Sequence, residues 1–409
     1  MQTNLSPEFK NTPDGREAEA ILRKCVHCGF CTATCPTYQI TGDELDGPRG
    51  RIYLIKQVLE GAAPTRKTQL HLDRCLTCRN CESTCPSGVE YGHLVDIGRK
   101  VVEERVPRDG ADSALRWTLK EGLSSQLFSP AMRLGQAVRG LLPPMLKDKV
   151  PARQPAGRWP AREHARKVLM LAGCVQPSMM PNINSATARV LDAAGIQTLV
   201  AVQAGCCGAV KFHLNDQDGG LAQMRANIDA WWPYVDSARV EAIVMNASGC
   251  GVTVKEYGHH LRHDPAYAAK ARRISELTRD LSELLPDLVA ALRTKVRPMA
   301  GTLAFHPPCS LQHGQQLRGG VERHLADLGF TVRVALNESH LCCGSAGTYS
   351  VLQPRMAHQL RDRKLGHLAQ LQPQAIISAN MGCISHLQSG TAVPVKHWVE
   401  VLDAALTSS

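Results

Sequence analysis

The chain has 409 residues, of which 44% are hydrophobic and 21% charged, with 16 cysteines and a formal net charge of +10 at pH 7. This composition excludes a disordered chain, and the length allows roughly two to four domains. Apolar runs such as 168–172 are too short to span a bilayer, and the polar residues 1–15 lack the apolar segment of a secretory signal. We therefore expect a cytoplasmic protein whose cysteines stay reduced and bind metal.

Four cysteines near the N-terminus recur later at the same spacing. The run C-x2-C-x2-C-x3-C-P spans Cys25–Pro36 and returns at Cys75–Pro86. This is the bacterial iron–sulfur run, in which the fourth cysteine of each run binds the other cluster. The spacing therefore predicts two [4Fe–4S] clusters, one on a first thiol set (Cys25, Cys28, Cys31, Cys85) and one on a second thiol set (Cys75, Cys78, Cys81, Cys35).

A pair of four-cysteine zinc sites is the alternative interpretation of these runs. Zinc ribbons use two C-x2-C pairs and need no eight thiols in this order. The stretches Pro48–Leu59 and Leu94–Val106 have helical patterns. We expect residues 1–112 to form a mostly α-helical two-cluster ferredoxin domain, with His27 as a hydrogen-bonding group that tunes the first cluster rather than a ligand.

A basic segment follows as a predicted linker over residues 113–165. From 114 to 167 the chain has eleven Arg and Lys against three acids, and five prolines fall between 143 and 160. We interpret its first part as helical and its second part as extended. It is either a solvated tether or a docking strip for an acidic partner or anionic lipid. Nucleic acid is not expected as a partner, because aromatic residues are few and no recognition motif accompanies the charge.

After the linker, strands and helices alternate, and the pattern runs through twice. Helices are predicted at 181–195 and 321–328, and the strands at 168–174, 197–202, 242–245, 303–305, 331–336 and 375–378. This alternation predicts two similar α/β lobes with parallel sheets, lobe 1 over 166–295 and lobe 2 over 296–409, so the fold class of the chain is α + α/β.

The other eight cysteines follow the predicted strand ends, where sites form in parallel sheets. They make up a third thiol set in lobe 1 (Cys174, Cys206, Cys207, Cys250) and a fourth thiol set in lobe 2 (Cys309, Cys342, Cys343, Cys383). Each is a candidate for a further iron–sulfur cluster. The alternative is inert packing, since an isolated cysteine is often a small buried hydrophobe.

Twin ferredoxin runs followed by two cysteine-rich CCG domains resemble the iron–sulfur subunits of membrane-associated flavoprotein dehydrogenases. The order of motifs, with PRGRIYLIK at 48–56, NASGC at 246–250 and NMGC at 380–383, is most similar to the glycolate oxidase family. In relatives of heterodisulfide reductase a C-x-x-C pair supplies a fifth thiol for a non-cubane cluster. Here Thr253 and His386 stand at those positions, so the resemblance does not extend to that cluster.

Three histidines could add a nitrogen ligand, as histidine does in Rieske centres. His386 takes the place of the missing thiol in lobe 2, and His306 and His313 flank Cys309. The alternative for each of the three is a hydrogen-bonded structural side chain.

The resemblance implies an electron-transfer subunit of a 2-hydroxy-acid dehydrogenase complex. A partner flavin-binding subunit would oxidise glycolate to glyoxylate, and electrons would pass toward the quinone pool or another membrane acceptor. The chain would associate peripherally with the inner face of the cell membrane through that complex. No dinucleotide fingerprint or P-loop is present, so we expect no FAD, no NAD and no catalytic residue in this chain.

Three alternatives to this function remain open at this stage. The first is the equivalent subunit of a lactate or anaerobic glycerol-3-phosphate dehydrogenase. The second is a thiol/disulfide enzyme similar to heterodisulfide reductase, with the CCG lobes as its active site. The third is a redox-sensing nucleic-acid binder, which the net charge motivates and the missing recognition motif opposes.

Overall fold

The computed structural model describes residues 1–125, 127–143, 147 and 150–407. A helical N-terminal region packs against two α/β lobes, each with a parallel sheet of four strands. The predicted fold class, α + α/β, is confirmed.

The N-terminal region consists of short helices joined by the cysteine loops. Proline supplies the first residue of several of these helices, where its missing N–H costs nothing, and the side chain of Thr12 caps α2 by accepting a hydrogen bond from the Gly15 amide. The helices are α1 (Pro7–Lys10), α2 (Pro13–Lys24), α3 (Phe30–Ala33), α4 (Pro36–Thr41), α5 (Pro48–Leu59), α6 (Arg66–Asp73), α7 (Asn80–Thr84) and α8 (Tyr91–Arg105). The predicted helix Pro48–Leu59 is confirmed, and the one predicted from Leu94 begins three residues earlier.

Among its described residues, the basic segment contains the helices α9 (Gly110–Ser124) and α10 (Phe128–Ala137) and a 3-10 turn, Arg139–Leu141, and residues 151–164 form no helix or strand. Neither helix has a buried residue, so both lie on the surface of the protein. Pro144 and Asp148 of the predicted linker lie outside the described residues. Within the described parts of the chain, every helix is too short or too polar to cross a membrane.

Lobe 1 has the strand order β2-β1-β3-β4, and all neighbouring strands are parallel. The central strands are apolar because helices cover both faces of the sheet. The elements are β1 (Arg166–Met170), α11 (Gln176–Met179), α12 (Asn182–Ala193), β2 (Ile196–Leu199), α13 (Ala209–His213), α14 (Gln217–Asp236), β3 (Ala242–Met245), α15 (Ser248–Lys255), α16 (Tyr257–His260), α17 (Ala268–Leu277), β4 (Thr278–Asp280) and α18 (Leu285–Leu292).

Lobe 2 repeats this topology with the order β6-β5-β7-β8. Its elements are β5 (Thr302–Phe305), α19 (Gly320–Asp327), β6 (Thr331–Val334), α20 (Tyr349–Leu352), α21 (Pro354–Ala369), β7 (Ala375–Ser378), α22 (Met381–Gln388), β8 (Val395–His397) and α23 (Trp398–Ala404). A π-helical turn, Ser310–Gly314, follows β5. The strand predicted over 331–336 ends at Val334, and Leu336 is exposed in the loop that follows. The short edge strands β4 and β8 have no counterpart in the sequence-based prediction.

The two lobes pack crosswise on one another. The first long helix of each lobe lies against the last helix of the other, so α12 contacts α23, and α19 contacts α18. Apolar side chains of both lobes form one continuous core. An ion pair between Arg189 of lobe 1 and Asp403 of lobe 2 (2.7 Å) also joins the lobes. Because of this packing, the carboxyl ends of the two sheets face one another, and Ser248 and Ser310 come within 2.7 Å across the gap.

The N-terminal region covers the gap between the lobes. The guanidinium of Arg79 forms a two-pronged ion pair with Glu256 of lobe 1. The amide of Asn80 donates to the carbonyl of His340 in lobe 2 (3.3 Å). The loop that carries the second thiol set therefore lies where all three parts of the protein meet.

Candidate metal centres

The first thiol set lines one small cavity between α3, α5 and the loop after α7. Its four thiols, Cys25, Cys28, Cys31 and Cys85, share this lining with Cys81. The loop can curl because His27 and Gly29 both have a positive φ, 56° and 84°. Among the four, Cys28 is exposed to solvent. Burial and the neighbouring thiols Cys25 and Cys85 raise the pKa of Cys31 to about 11, because burial and nearby negative charge both disfavour a thiolate.

The second thiol set lines the adjacent cavity, which has Cys35, Cys75, Cys78 and Cys81 in its wall. The structure thus brings Cys35 to the second loop and Cys85 to the first, as the crossed pairing of the two runs predicts. The second loop has the same backbone shape as the first, because Thr77 and Arg79 repeat the positive φ of His27 and Gly29. Cys81 contributes to both cavities, so the two sites share a wall.

Two buried arginines distinguish the second set from the first. Burial works to raise the pKa of Cys75, but the positive charges of Arg51 and Arg99 outweigh it and hold that pKa below its ordinary value. The Cys75 sulfur also accepts hydrogen bonds from the Thr77 amide (3.4 Å) and the Tyr91 hydroxyl (3.5 Å). These groups stabilise negative charge on sulfur.

The segment PRGRIYLIK carries part of the family resemblance, but the sequence does not predict the role of its second arginine, Arg51. Arg51 is 1% exposed and donates to the carbonyl of His71 (2.7 Å) and the hydroxyl of Thr37 (3.1 Å). The role of Arg99, near the middle of α8, was missed as well. The sequence of α8 does not show which of its charged residues lies near a thiol, so the position of Arg99 could not be predicted.

In lobe 1 the four thiols of the third set form a chain of contacts. Cys174 contacts Cys206, Cys206 contacts Cys207, and Cys207 contacts Cys250. Hydrogen bonds from Cys174 and Cys207 lower the pKa of Cys206, because they stabilise negative charge on its sulfur. A set of four thiols in contact is a donor set that suits a metal or cluster.

Lobe 2 repeats this chain with the fourth set. Cys309 lies 3.7 Å from Cys342 (Sγ to Sγ), Cys342 contacts Cys343, and Cys343 contacts Cys383. The Gly344 amide donates to the Cys342 sulfur (3.4 Å).

The third set and three thiols of the fourth set, Cys309, Cys342 and Cys383, line one central cavity of about 300 Å³ between the lobes. Cys75 and Cys78 of the second set reach the same cavity, and Cys78, Cys309 and Cys342 belong to one packed cluster of side chains. The second set therefore adjoins the fourth set directly, whereas the first set faces solvent.

The histidines singled out by the sequence differ in their surroundings. His313 has a partner at each ring nitrogen, the Ser83 hydroxyl (3.0 Å) and the His340 carbonyl (2.8 Å). His386 lies on α22 and donates to the Ala357 carbonyl (3.1 Å). Both fit the structural alternative. The Nε2 atom of His27 is buried without a hydrogen-bond partner among the described residues, so the expected hydrogen bond is not seen at this atom.

His306 differs from the other histidines near the fourth set. Its ring is 1% exposed, and its ligand atom lies within 4.8 Å of the sulfurs of Cys343 and Cys383. Burial, together with the charge of Lys364, holds its pKa well below the ordinary value.

The helical region, the two lobes and the four thiol sets define the class: a helical domain with two ferredoxin-type cysteine runs, joined to paired cysteine-rich domains. The family model of the 4Fe-4S dicluster domain matches residues 21–89, and that of the cysteine-rich domain matches 168–255 and 303–388. The chain is 54% identical to the glycolate oxidase iron-sulfur subunit of Escherichia coli (strain K12), over 99% of each chain. The chain belongs to the family of glycolate oxidase iron–sulfur subunits.

More distant relatives match nearly all of the chain or part of it. The probable glycolate oxidase iron-sulfur subunit of Bacillus subtilis (strain 168) is 26% identical, over 94% of this chain and 92% of the relative. Lactate utilization protein A of Geobacillus kaustophilus (strain HTA426) is also 26% identical, over 58% of this chain and 99% of the relative.

Proposed function

We propose that this chain is the electron-transfer subunit of a glycolate oxidase complex. Glycolate would be oxidised to glyoxylate on a partner flavin-binding subunit, and the electrons would leave toward a quinone-type acceptor. The similarity to the Escherichia coli subunit over nearly the whole chain supports glycolate over other 2-hydroxy acids.

The observation that carries this proposal is that three of the thiol sets adjoin one another in the order first, second, fourth. The first set reaches the surface at Cys28, and Cys81 of the second set lines the cavities of both sets. The second set adjoins the fourth through Cys78 and Cys309. This order provides a path from the surface to the interior of the protein.

The donor sets fit the cofactors that such a path requires. The first and second sets would each hold one [4Fe–4S] cluster, and the third and fourth are sites for further clusters. When bound, such clusters carry one electron at a time. The protein residues bury the sulfurs, exclude water and set the local charge, with Arg51 and Arg99 near the second set and Lys364 near the fourth.

The flavin-binding partner would contact the face around the first set. Val26 and Phe30 flank Cys28 and are 67% and 61% exposed. Large apolar side chains exposed beside a metal site are typical of a docking surface. This face also brings a partner closest to an exposed sulfur.

The membrane contact would lie on α9 and α10. Trp117, Leu127 and Leu134 are 63%, 73% and 67% exposed, and these helices belong to the basic segment 114–167. Exposed apolar side chains next to basic ones suit an anionic lipid surface. Flotation with anionic vesicles would test this: the exchange of Trp117 and Leu134 for Ser should weaken binding. The control Leu336→Ser, which alters an exposed leucine of lobe 2, should not. Equal binding of both variants would contradict the membrane contact.

The proposed function is tested by separating the chain from its partner. The purified chain should not oxidise glycolate, whereas the complex should do so with an artificial acceptor. Oxidation of glycolate by the chain alone would contradict the proposal.

Lactate is the second candidate substrate, because lactate utilization protein A of Geobacillus kaustophilus is 26% identical over 58% of this chain. The same complex should be assayed with glycolate and lactate at equal concentrations. A higher kcat/KM for lactate would replace glycolate in the proposal and leave the electron-transfer role intact.

A further inference from the structure

The imidazole of His306 lies among the thiols of lobe 2 without a structural role of its own. Neither ring nitrogen has a hydrogen-bond partner among the described residues, although the residue is 1% exposed. A buried polar group left unpaired destabilises the fold, because it has lost its hydrogen bonds to water. Such a group in a native fold therefore calls for a partner of another kind, such as a metal.

The fold does not require a histidine at this place. The equivalent position in lobe 1 is Leu171. The amide of Leu171 donates to the Val244 carbonyl, and the amide of His306 donates in the same way to the Ile377 carbonyl. Val244 and Ile377 are the third residues of the equivalent strands β3 and β7. Leu171 is buried as well, so an apolar side chain satisfies this position in the same topology.

The thiols beside His306 are donors that bind the same metals as an imidazole. The His306 nitrogen and the sulfurs of Cys343 and Cys383 all lie within 4.8 Å of one another. Neutral imidazole and thiolate are both ligands for iron and for zinc.

We propose that His306 is a nitrogen ligand of the metal centre in lobe 2, next to Cys343 and Cys383, whereas the centre in lobe 1 has thiol ligands alone. The two lobes, alike in fold, thus differ in ligand charge, since a neutral imidazole brings one negative charge less than a thiolate. In Rieske centres histidine ligation raises the reduction potential, so the same ligand would make lobe 2 the stronger electron acceptor. The inference rests on the proposed function in taking iron as the metal.

The test is pulsed EPR on the full chain, purified without oxygen and reduced. The wild type should show a strong ¹⁴N coupling that changes to the ¹⁵N pattern when histidine is ¹⁵N-labelled. His306→Leu, which copies lobe 1, should lose this coupling. The control His386→Gln alters another buried histidine of lobe 2 and should keep it.

A second variant separates ligation from a merely structural effect. His306→Cys supplies a thiolate in place of the imidazole, so it should keep the iron content, lose the nitrogen coupling and move the lobe 2 signal to a lower potential. Unchanged nitrogen coupling in His306→Leu would overturn the ligand assignment.

Iron content distinguishes failure of this inference from failure of the proposed cofactor. Cys343→Ser should lower the iron per chain if lobe 2 holds iron. If it does so while the wild type shows no nitrogen coupling, the assignment of His306 alone is wrong. If Cys343→Ser leaves iron unchanged, lobe 2 holds none, and both the inference and that part of the proposed function are wrong.

Discussion

Removal of the Arg51 charge should lower the reduction potential of the centre held by the second thiol set. Reduction adds negative charge, and Arg51 and Arg99 are the cations that hold the pKa of Cys75 down against burial. Arg51→Met removes one of these cations. It leaves Asp46 partnered, since Arg74 lies at 2.8 Å and His71 at 2.9 Å from its carboxylate.

The magnitude follows from Coulomb's law. A unit charge roughly 6 Å from a sulfur contributes about 3 kcal/mol at an effective dielectric constant of about 20. The Asp46 carboxylate, 3.7 Å from the Arg51 guanidinium, cancels part of this field. Half of it, ~1.4 kcal/mol, corresponds to roughly 60 mV for a one-electron couple.

The assay is a redox titration of the full chain monitored by EPR. Arg51→Lys keeps the charge and should shift the potential much less than Arg51→Met. Arg49→Gln removes a cation beside the first set, but one that is 38% exposed and paired with Glu44, so solvent should screen its effect. An upward shift in Arg51→Met, or an equal shift in Arg51→Lys, would refute the electrostatic reasoning.

Three further predictions concern ligation and the contacts between domains. Cys85→Ser should abolish the signal of the first site and Cys35→Ser that of the second; the reverse, seen by EPR, would contradict the crossed pairing. Burial works to raise the pKa of Glu17, but the hydrogen bond from His259 and the charges of His259, Arg262 and His93 outweigh it and lower the pKa to about 2. The stability from ionised Glu17 should thus be present above about pH 4.5 and be lost as the pH falls toward 2. Thermal unfolding of Glu17→Gln should show a weaker acid dependence than the wild type, and an unchanged one would contradict this. Arg79→Gln leaves the Glu256 carboxylate without its two-pronged partner and should destabilise the protein by about 3 kcal/mol in denaturant unfolding; a change below 1 kcal/mol would contradict it.

The thiol loops were the most predictable part of the site. The repeated spacing dictates the repeated backbone shape, with positive φ at His27 and Gly29 in one loop and at Thr77 and Arg79 in the other. Local spacing is sufficient here because each loop must turn within a few residues. That these thiols bind clusters, and that the domain boundaries lie at 112, 165 and 295, stay predictions.

The arrangement of the lobes could not be predicted from the sequence. The strands Ala242–Met245 and Ala375–Ser378 were expected and are confirmed, because continuous apolar runs mark buried parallel strands. The helices α12 and α23 contact one another although more than two hundred residues separate them in the sequence. This contact depends on the shapes of their two surfaces. No local pattern in either helix specifies its distant partner.

The positions of the charged side chains around the thiols could not be predicted from the sequence either. Arg51 and Lys364 are buried cations, and a pattern of residues in a helix does not show which arginine or lysine points inward. The short strands β4 and β8 were missed for a related reason. Their residues, Thr278–Asp280 and Val395–His397, are partly polar and become strands only by pairing with the edge of a sheet.

The most direct test of the account is the iron and acid-labile sulfide content of the chain purified without oxygen, together with low-temperature EPR of the reduced form. The account predicts at least about eight iron and eight sulfide per chain for the first and second thiol sets, and more if the lobes are filled. Bound zinc with almost no iron, despite anaerobic handling, would contradict the electron-transfer function.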